Sequence, residues 1–128
     1  MNRGAFRNAT RGEFVSKSYA LPGGGVVANV THGLGGVPDR CEWRLVCLAS
    51  EAGFSIGDEV LVSVANGGHQ AFTAGANNTN VFLVLEKSSS GTANFSWASK
   101  TDGTMTSMTL SKWAARCYAY RNHYKANL

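Results

Sequence analysis

The sequence predicts an all-β fold, an antiparallel β-sandwich of about seven to nine short strands led by an extended N-terminal arm. Three observations point there. Apolar and polar residues alternate with a period of two over several short runs. Glycine, present 15 times, together with Asn, Ser and Thr, punctuates those runs, while proline occurs only twice. No stretch carries a convincing helical repeat of apolar residues. At 128 residues the chain reads as one domain, long enough to bury a core without metal or disulfide staples.

Residues 1–13 are read as a basic arm, because Arg, Asn and Gly dominate and periodicity is absent. Residues 14–121 are read as the sandwich domain and 122–128 as a tail. Alternation starts at Phe14, with Val15, Lys17 and Tyr19 on one face and Phe14, Ser16 and Ser18 on the other. That strand ends at the loop Leu21-Pro22-Gly23-Gly24-Gly25. Residues 26–31 are a second, β-branched run, and 32–38 a turn with three glycines. Residues 40–48 are the clearest strand: Cys41, Trp43, Leu45 and Cys47 share a face, opposite Arg40, Glu42 and Arg44.

A loop follows through Gly57, then a strand over 59–64 with Val60, Val62 and Val64 aligned. Asn66-Gly67 is a hairpin signal, with 70–73 its return strand and 75–79 a loop. Residues 80–86 are almost continuously apolar, as a central strand is. Residues 88–91 are a Ser-rich connector. Residues 93–99 form a strand with Phe95 and Trp97 on one face, and Asp102-Gly103 is a second hairpin signal. In the last element Trp113, Ala115, Cys117 and Ala119 alternate with Ala114, Arg116, Tyr118 and Tyr120, which outweighs the fair helix propensity of 110–116.

The longest apolar runs are far short of the roughly 18 residues a membrane-spanning helix needs. The basic N-terminus has no apolar segment behind it and does not read as a secretory signal. The expectation is a protein made in a cytoplasm. Four Asn-x-Ser/Thr sequons, at Asn8, Asn29, Asn77 and Asn94, are then accidental. Three cysteines argue against a closed disulfide framework. Cys41 and Cys47 lie on one strand, roughly 20 Å apart at 3.3 Å per residue, so they cannot bond each other. One of them could pair with Cys117, and buried free thiols are the expected state.

The formal net charge is +4, unevenly spread. Residues 1–17 hold Arg3, Arg7, Arg11 and Lys17 against Glu13, and residues 112–128 hold Lys112, Arg116, Arg121 and Lys125. Acidic residues outnumber basic ones between. Such polarity suits docking of the ends on an acidic partner or on another subunit.

Catalytic and binding patterns are thin. Gly53-Phe54-Ser55-Ile56-Gly57 matches a nucleophile elbow, which needs a strand before the serine and a helix after it. Here Gly-Asp-Glu-Val leads into a strand. An esterase reading would rest on Ser55, with Asp58 or Asp102 and His123 as partners. The glycines at 23–25 and 33–36 read as turns rather than phosphate loops. His32, His69 and His123 are scattered, no Cys-x-x-Cys occurs, and Asp58 and Glu59 point to opposite faces of a strand, so neither a metal nor another cofactor is expected. His32 reads as a hydrogen-bonded turn residue. Tyr118, Tyr120 and Tyr124 interleave with Arg116, Arg121 and Lys125, a pattern that could stack bases and neutralise phosphates. The acidic body argues against nucleic acid.

Residues 31–60 carry the most distinctive pattern. His32-Gly33-Leu34-Gly35 with Pro38 close behind is followed by a strand ending at Cys47. Then come Glu51-Ala52-Gly53-Phe54-Ser55, Gly57, Asp58, Glu59 and Val60. With Asn80-Val81 and the closing strand 113–120, this resembles a recurring β-sandwich module of small bacteriophage virion proteins and tail-fibre tips. The likeness covers roughly residues 14–121. It implies a sandwich similar to H-type lectins, a homotrimer on the virion surface, and no catalytic residues. The chain departs from the tail-fibre members in having only a short basic arm before the module. The expectation is therefore a non-enzymatic head decoration, cement, short spike or tail component, assembled in a bacterial cytoplasm onto major capsid or tail proteins. Arg3, Arg7, Arg11 and Lys17 are the candidate docking residues. The alternative is a lectin-like receptor-recognition module binding host-surface glycan. Trp97, Trp113 and Tyr124 are the candidates for an interface or glycan contact.

Overall fold

The computed structural model of the chain describes residues 12–62, 72–87 and 95–122. They hold ten strands: β1 (Glu13–Val15), β2 (Tyr19–Ala20), β3 (Gly25–Thr31), β4 (Arg40–Cys47), β5 (Glu59–Leu61), β6 (Phe72–Ala76), β7 (Asn80–Leu85), β8 (Ser96–Ala98), β9 (Met105–Ser107) and β10 (Trp113–Tyr120). A single 3₁₀ turn, Leu110–Lys112, precedes β10. The fold is all-β and antiparallel, as expected, with more and shorter strands than the alternation suggests.

The alternating segments become paired strands because each buries one face. β4 and β10 form the spine of a five-stranded sheet, paired from Trp113 opposite Cys47 to Tyr120 opposite Arg40. β5 adds to β4, while β1 and β2 share the far edge of β10. Across from it, β7 lies between β3 and β6 in a three-stranded sheet, the central position its apolar run predicts. The inward residues meet in one cluster. Trp43, Leu45, Cys47, Ala115 and Cys117 come from the spine, and Ala28, Phe72, Val81, Leu83 and Leu85 from the other sheet. β8 and β9 form a separate hairpin around Asp102-Gly103.

Three expectations shift. The strand expected from Phe14 to Tyr19 is split into β1 and β2 by a side chain. The buried Ser16 hydroxyl accepts the Cys117 N–H at 2.8 Å and donates to the Lys17 carbonyl at 2.7 Å. A hydroxyl thus stands in for a backbone acceptor, and the regular ladder stops there. The loop expected over 75–79 begins only after Ala76, because Gly75 lies inside β6. Gly75 sits opposite Phe82, and a Cβ there would come within 2.8 Å of that ring. The glycine marks a close approach, not a turn. Residues 105–107, which carry no strong signal, become β9 through pairing with β8. The Asn66-Gly67 hairpin and the connector over 88–91 lie outside the described residues.

The largest correction concerns two tryptophans. Trp113 is 1% exposed and Trp97 8%. Neither ring is open to a partner or glycan. Phe95 meets Trp97 edge-on at 4.8 Å between centroids, Trp97 meets Trp113 at 4.9 Å, and Phe54 closes on Trp113 at 5.4 Å. Edge-to-face pairs add about 0.5–1.5 kcal/mol each beyond the area they bury. These aromatics are core, and they seat the β8–β9 hairpin on the end of β10.

Candidate functional site

The two motifs of residues 31–60 sit largely on turns, where His32, Glu51 and Asp58 bond to the chain around them. His32 is buried. Its Nε2–H donates to the Asn77 carbonyl at 2.9 Å, and its Nδ1 accepts the Leu34 N–H at 2.9 Å. These bonds fix the neutral Nε2–H tautomer and tie the turn after β3 to the β6–β7 hairpin. Leu34, the one large residue among the glycines, is fully buried. Arg121 folds over this loop and donates to the Leu34 carbonyl at 3.1 Å. As expected, His32 is a hydrogen-bonded turn residue.

The second motif braces the other turn. Glu51 and Phe54 exchange both backbone hydrogen bonds, at 2.8 and 3.1 Å. Ala52 and Gly53 between them have φ of 52° and 85°, the pattern of a type I′ hairpin turn. The Ala52 carbonyl accepts from the Lys100 N–H and from the Ser99 hydroxyl, at 3.0 and 3.1 Å. Glu51 accepts from the Thr109 N–H at 2.8 Å, from the Thr109 hydroxyl, and from the Trp113 indole N–H at 3.1 Å. Burial pushes its pKa up. The Thr109 and Trp113 bonds, with Lys112 nearby, outweigh that and hold the carboxyl below the ordinary glutamate value.

Ser55 lies on the next turn, which runs into β5 and not into a helix. Its N–H donates to Asp58 Oδ2 at 3.0 Å, and the same oxygen accepts from Lys100 Nζ at 2.9 Å. The Ser55 N–H, then Lys100, depress the Asp58 pKa. Asp58 is therefore occupied with the turn backbone. Asp102 caps its own hairpin, accepting the Thr104 N–H at 2.9 Å. His123 lies outside the described residues, as do His69, Arg3, Arg7, Arg11, Tyr124 and Lys125. Among the described residues no three His, Cys, Asp or Glu side chains group as metal ligands, and no helix is long and apolar enough to cross a membrane.

The outward face of the five-stranded sheet is organised differently. The alternation that turns Trp43 and Leu45 inward turns Arg40, Glu42 and Arg44 outward, beside Tyr118 and Tyr120 of β10 and Glu59 and Leu61 of β5. Arg44 is the hub. Its Nη1 donates to Glu59 Oε1 at 3.0 Å and its Nε to Glu42. Its guanidinium carbon lies 4.6 Å from the Tyr118 ring centre. The bonds to Glu59 and then Glu42 raise its pKa further. Arg116 is directly opposite Arg44 in the ladder, a like-charge placement that is unfavourable on its own. It turns away to the Ser18 hydroxyl at 3.1 Å. Its buried Nε has no hydrogen-bond partner among the described residues.

Apolar side chains lie exposed among these charges: Val15 at 60%, Leu61 at 60% and Tyr120 at 42%. A shallow depression over β1, β4 and β10 is lined by Glu13, Val15, Arg40, Arg44, Tyr118 and Tyr120. Of the expected docking residues, Lys17 alone falls in the described segments, with its ammonium 5.4 Å from the Tyr19 ring centre. The cluster of Arg44, Glu59 and Tyr118 escapes a reading of sequence. Glu59 joins the other two only through the pairing of β4 with β5, and nothing local signals that. Of the residues in the nucleic-acid pattern, Arg121 donates to the Leu34 carbonyl, Arg116 to the Ser18 hydroxyl, and Tyr118 lies beside Arg44, while Tyr124 and Lys125 lie outside the described residues.

Compared with protein-family models, curated proteins and solved structures, the chain matches none of them.

Proposed function

We propose that this chain is a non-enzymatic structural protein of a bacteriophage virion, a surface accessory such as a head decoration, cement, short spike or tail component. It self-associates as a homotrimer through the outer face of the β1/β2–β10–β4–β5 sheet and docks on major capsid or tail proteins through residues 1–17. The class of particle comes from the resemblance of the two turn motifs to small virion modules. The observation that carries the assembly role is the contrast between the motifs and the outer sheet face.

His32, Glu51 and Asp58 spend their hydrogen bonds on turn backbones and the core. The outer face instead sets exposed Val15, Leu61 and Tyr120 among charges of both signs. Further copies suit such a surface, because in a closed ring the acidic part of the face on one copy, at Glu13, Glu42 and Glu59, can meet the basic part, at Arg40 and Arg44, on the next. β1 lies at the edge of this face, and the carbonyl of Gly12, just ahead of it, accepts the Arg121 N–H at 2.7 Å.

The test is cosedimentation with particles that lack this protein. The chain without residues 1–12 is expected to keep its strand content and its trimer mass while losing particle binding. Undiminished binding by the shortened chain would remove the arm from the account.

A further inference from the structure

We propose that Cys41 and Cys117 form a thiol–disulfide exchange site in which Cys41 attacks a low-molecular-weight disulfide and Cys117 resolves it, leaving an intramolecular cross-strand disulfide. The inference rests on sulfur geometry and not on the virion reading, so each can fail without the other.

The pair is set by strand register. Cys41 is opposite Ala119 and Cys117 is opposite Trp43, so the two cysteines are diagonal neighbours on the inward face of adjacent antiparallel strands. Diagonal side chains of this kind lie within reach of each other. Their sulfurs are 3.8 Å apart, and all three cysteines are free. A disulfide needs about 2.05 Å, so roughly 1.8 Å must be closed by side-chain rotation together with a local shift of the two strands, since diagonal neighbours about 7–8 Å apart lie at the limit a disulfide spans.

The two thiols differ in the way such a site requires. Cys117 is fully buried between the sheets. Cys41 is half-buried and lines a cleft with Arg40, Leu61, Val62 and Ala74, which gives a small disulfide a route to its sulfur. The Cys117 thiol, donating toward Cys41, lowers the Cys41 pKa against the opposing effect of burial. Cys117 moves the other way, raised by that same contact and then by burial. The more exposed sulfur is thus the better thiolate. Cys47 is a built-in control: it is buried, its thiol donates to the Ala49 carbonyl at 3.2 Å, and it lies on the far stretch of β4.

The chemistry closes with a disulfide such as oxidised glutathione as oxidant. The Cys41 thiolate attacks one sulfur, the glutathione S–S bond breaks, and one glutathione thiolate leaves. Cys117 then loses its proton to that thiolate and attacks Cys41 Sγ. The mixed S–S bond breaks and the second glutathione thiolate departs. The protein has lost two hydrogens, and the oxidant is reduced to two thiols.

The test is incubation of the folded full chain with oxidised glutathione, followed by intact mass and peptide mapping. The expected result is loss of two hydrogens, with Cys41 linked to Cys117 and Cys47 still titrating as a thiol. In Cys117→Ser the reaction should stop with one glutathione held on Cys41, and Cys41→Ser should not react. Cys117→Ala serves if the serine disturbs the core. An unmodified wild-type chain, or a linkage through Cys47 or between molecules, would overturn the proposal.

Discussion

Single side chains set the geometry of this protein at its turns, and Gly53 shows how narrowly. Its φ of 85° is one that residues with a Cβ rarely adopt. An added Cβ would also collide with Thr101 Oγ1 and lie 2.9 Å from Thr101 N. Gly53→Ala should therefore cost about 2 kcal/mol or more in denaturant unfolding, through backbone strain and steric conflict together. A loss below about 0.5 kcal/mol would mean the turn opens without resistance. Glu51 gives a prediction in pH. Its folded pKa is depressed below the ordinary 4.5, so between the two values the unfolded chain binds the more protons. The stabilisation is present in full above the unfolded value and drains away as pH falls through the folded one. Urea midpoints measured from neutral pH into the acid range should fall in the wild type. In Glu51→Gln they should start lower and fall less. Parallel curves for the two would show that Glu51 carries no such linkage.

Elements that bury one face are the ones the sequence makes legible. β4, β7 and β10 stand out because a period of two in apolar residues reports burial on one side, or a continuous run reports burial on both. The tryptophan correction comes from the same source: alternation puts Trp97 and Trp113 on one face but does not say which face is inside. What escaped depends on partners distant along the chain. Ser16 breaks a strand only because Cys117 is across from it, and Gly75 belongs to a strand only because Phe82 covers it. The Arg44 hub needs three strands in register. Ser16 makes this testable. In Ser16→Ala the Cys117 N–H loses its acceptor inside the sheet, at a cost of about 1–3 kcal/mol. Hydrogen exchange should accelerate at the Cys117 amide and at β1 first. Unchanged protection there would show that the hydroxyl does not hold β1 and β2 to the spine.

At the scale of the molecule, the two turn motifs brace the two ends of the sandwich, and one broad sheet face is left outward. The central claim is that this face joins copies of the chain. Leu61 and Arg44 are directly opposite each other on it, one exposed and apolar, the other already satisfied by Glu59 and Glu42. Burying Leu61 against a second copy would remove apolar surface from water at about 25 cal/mol per Å², and Leu61→Asp would oppose that without touching the inner core. The measurement that decides is native mass spectrometry of the full chain at micromolar concentration beside Leu61→Asp. The account predicts a trimer for the wild type and a folded monomer for the variant. A monomeric wild type, or a trimer that Leu61→Asp leaves intact, would contradict it.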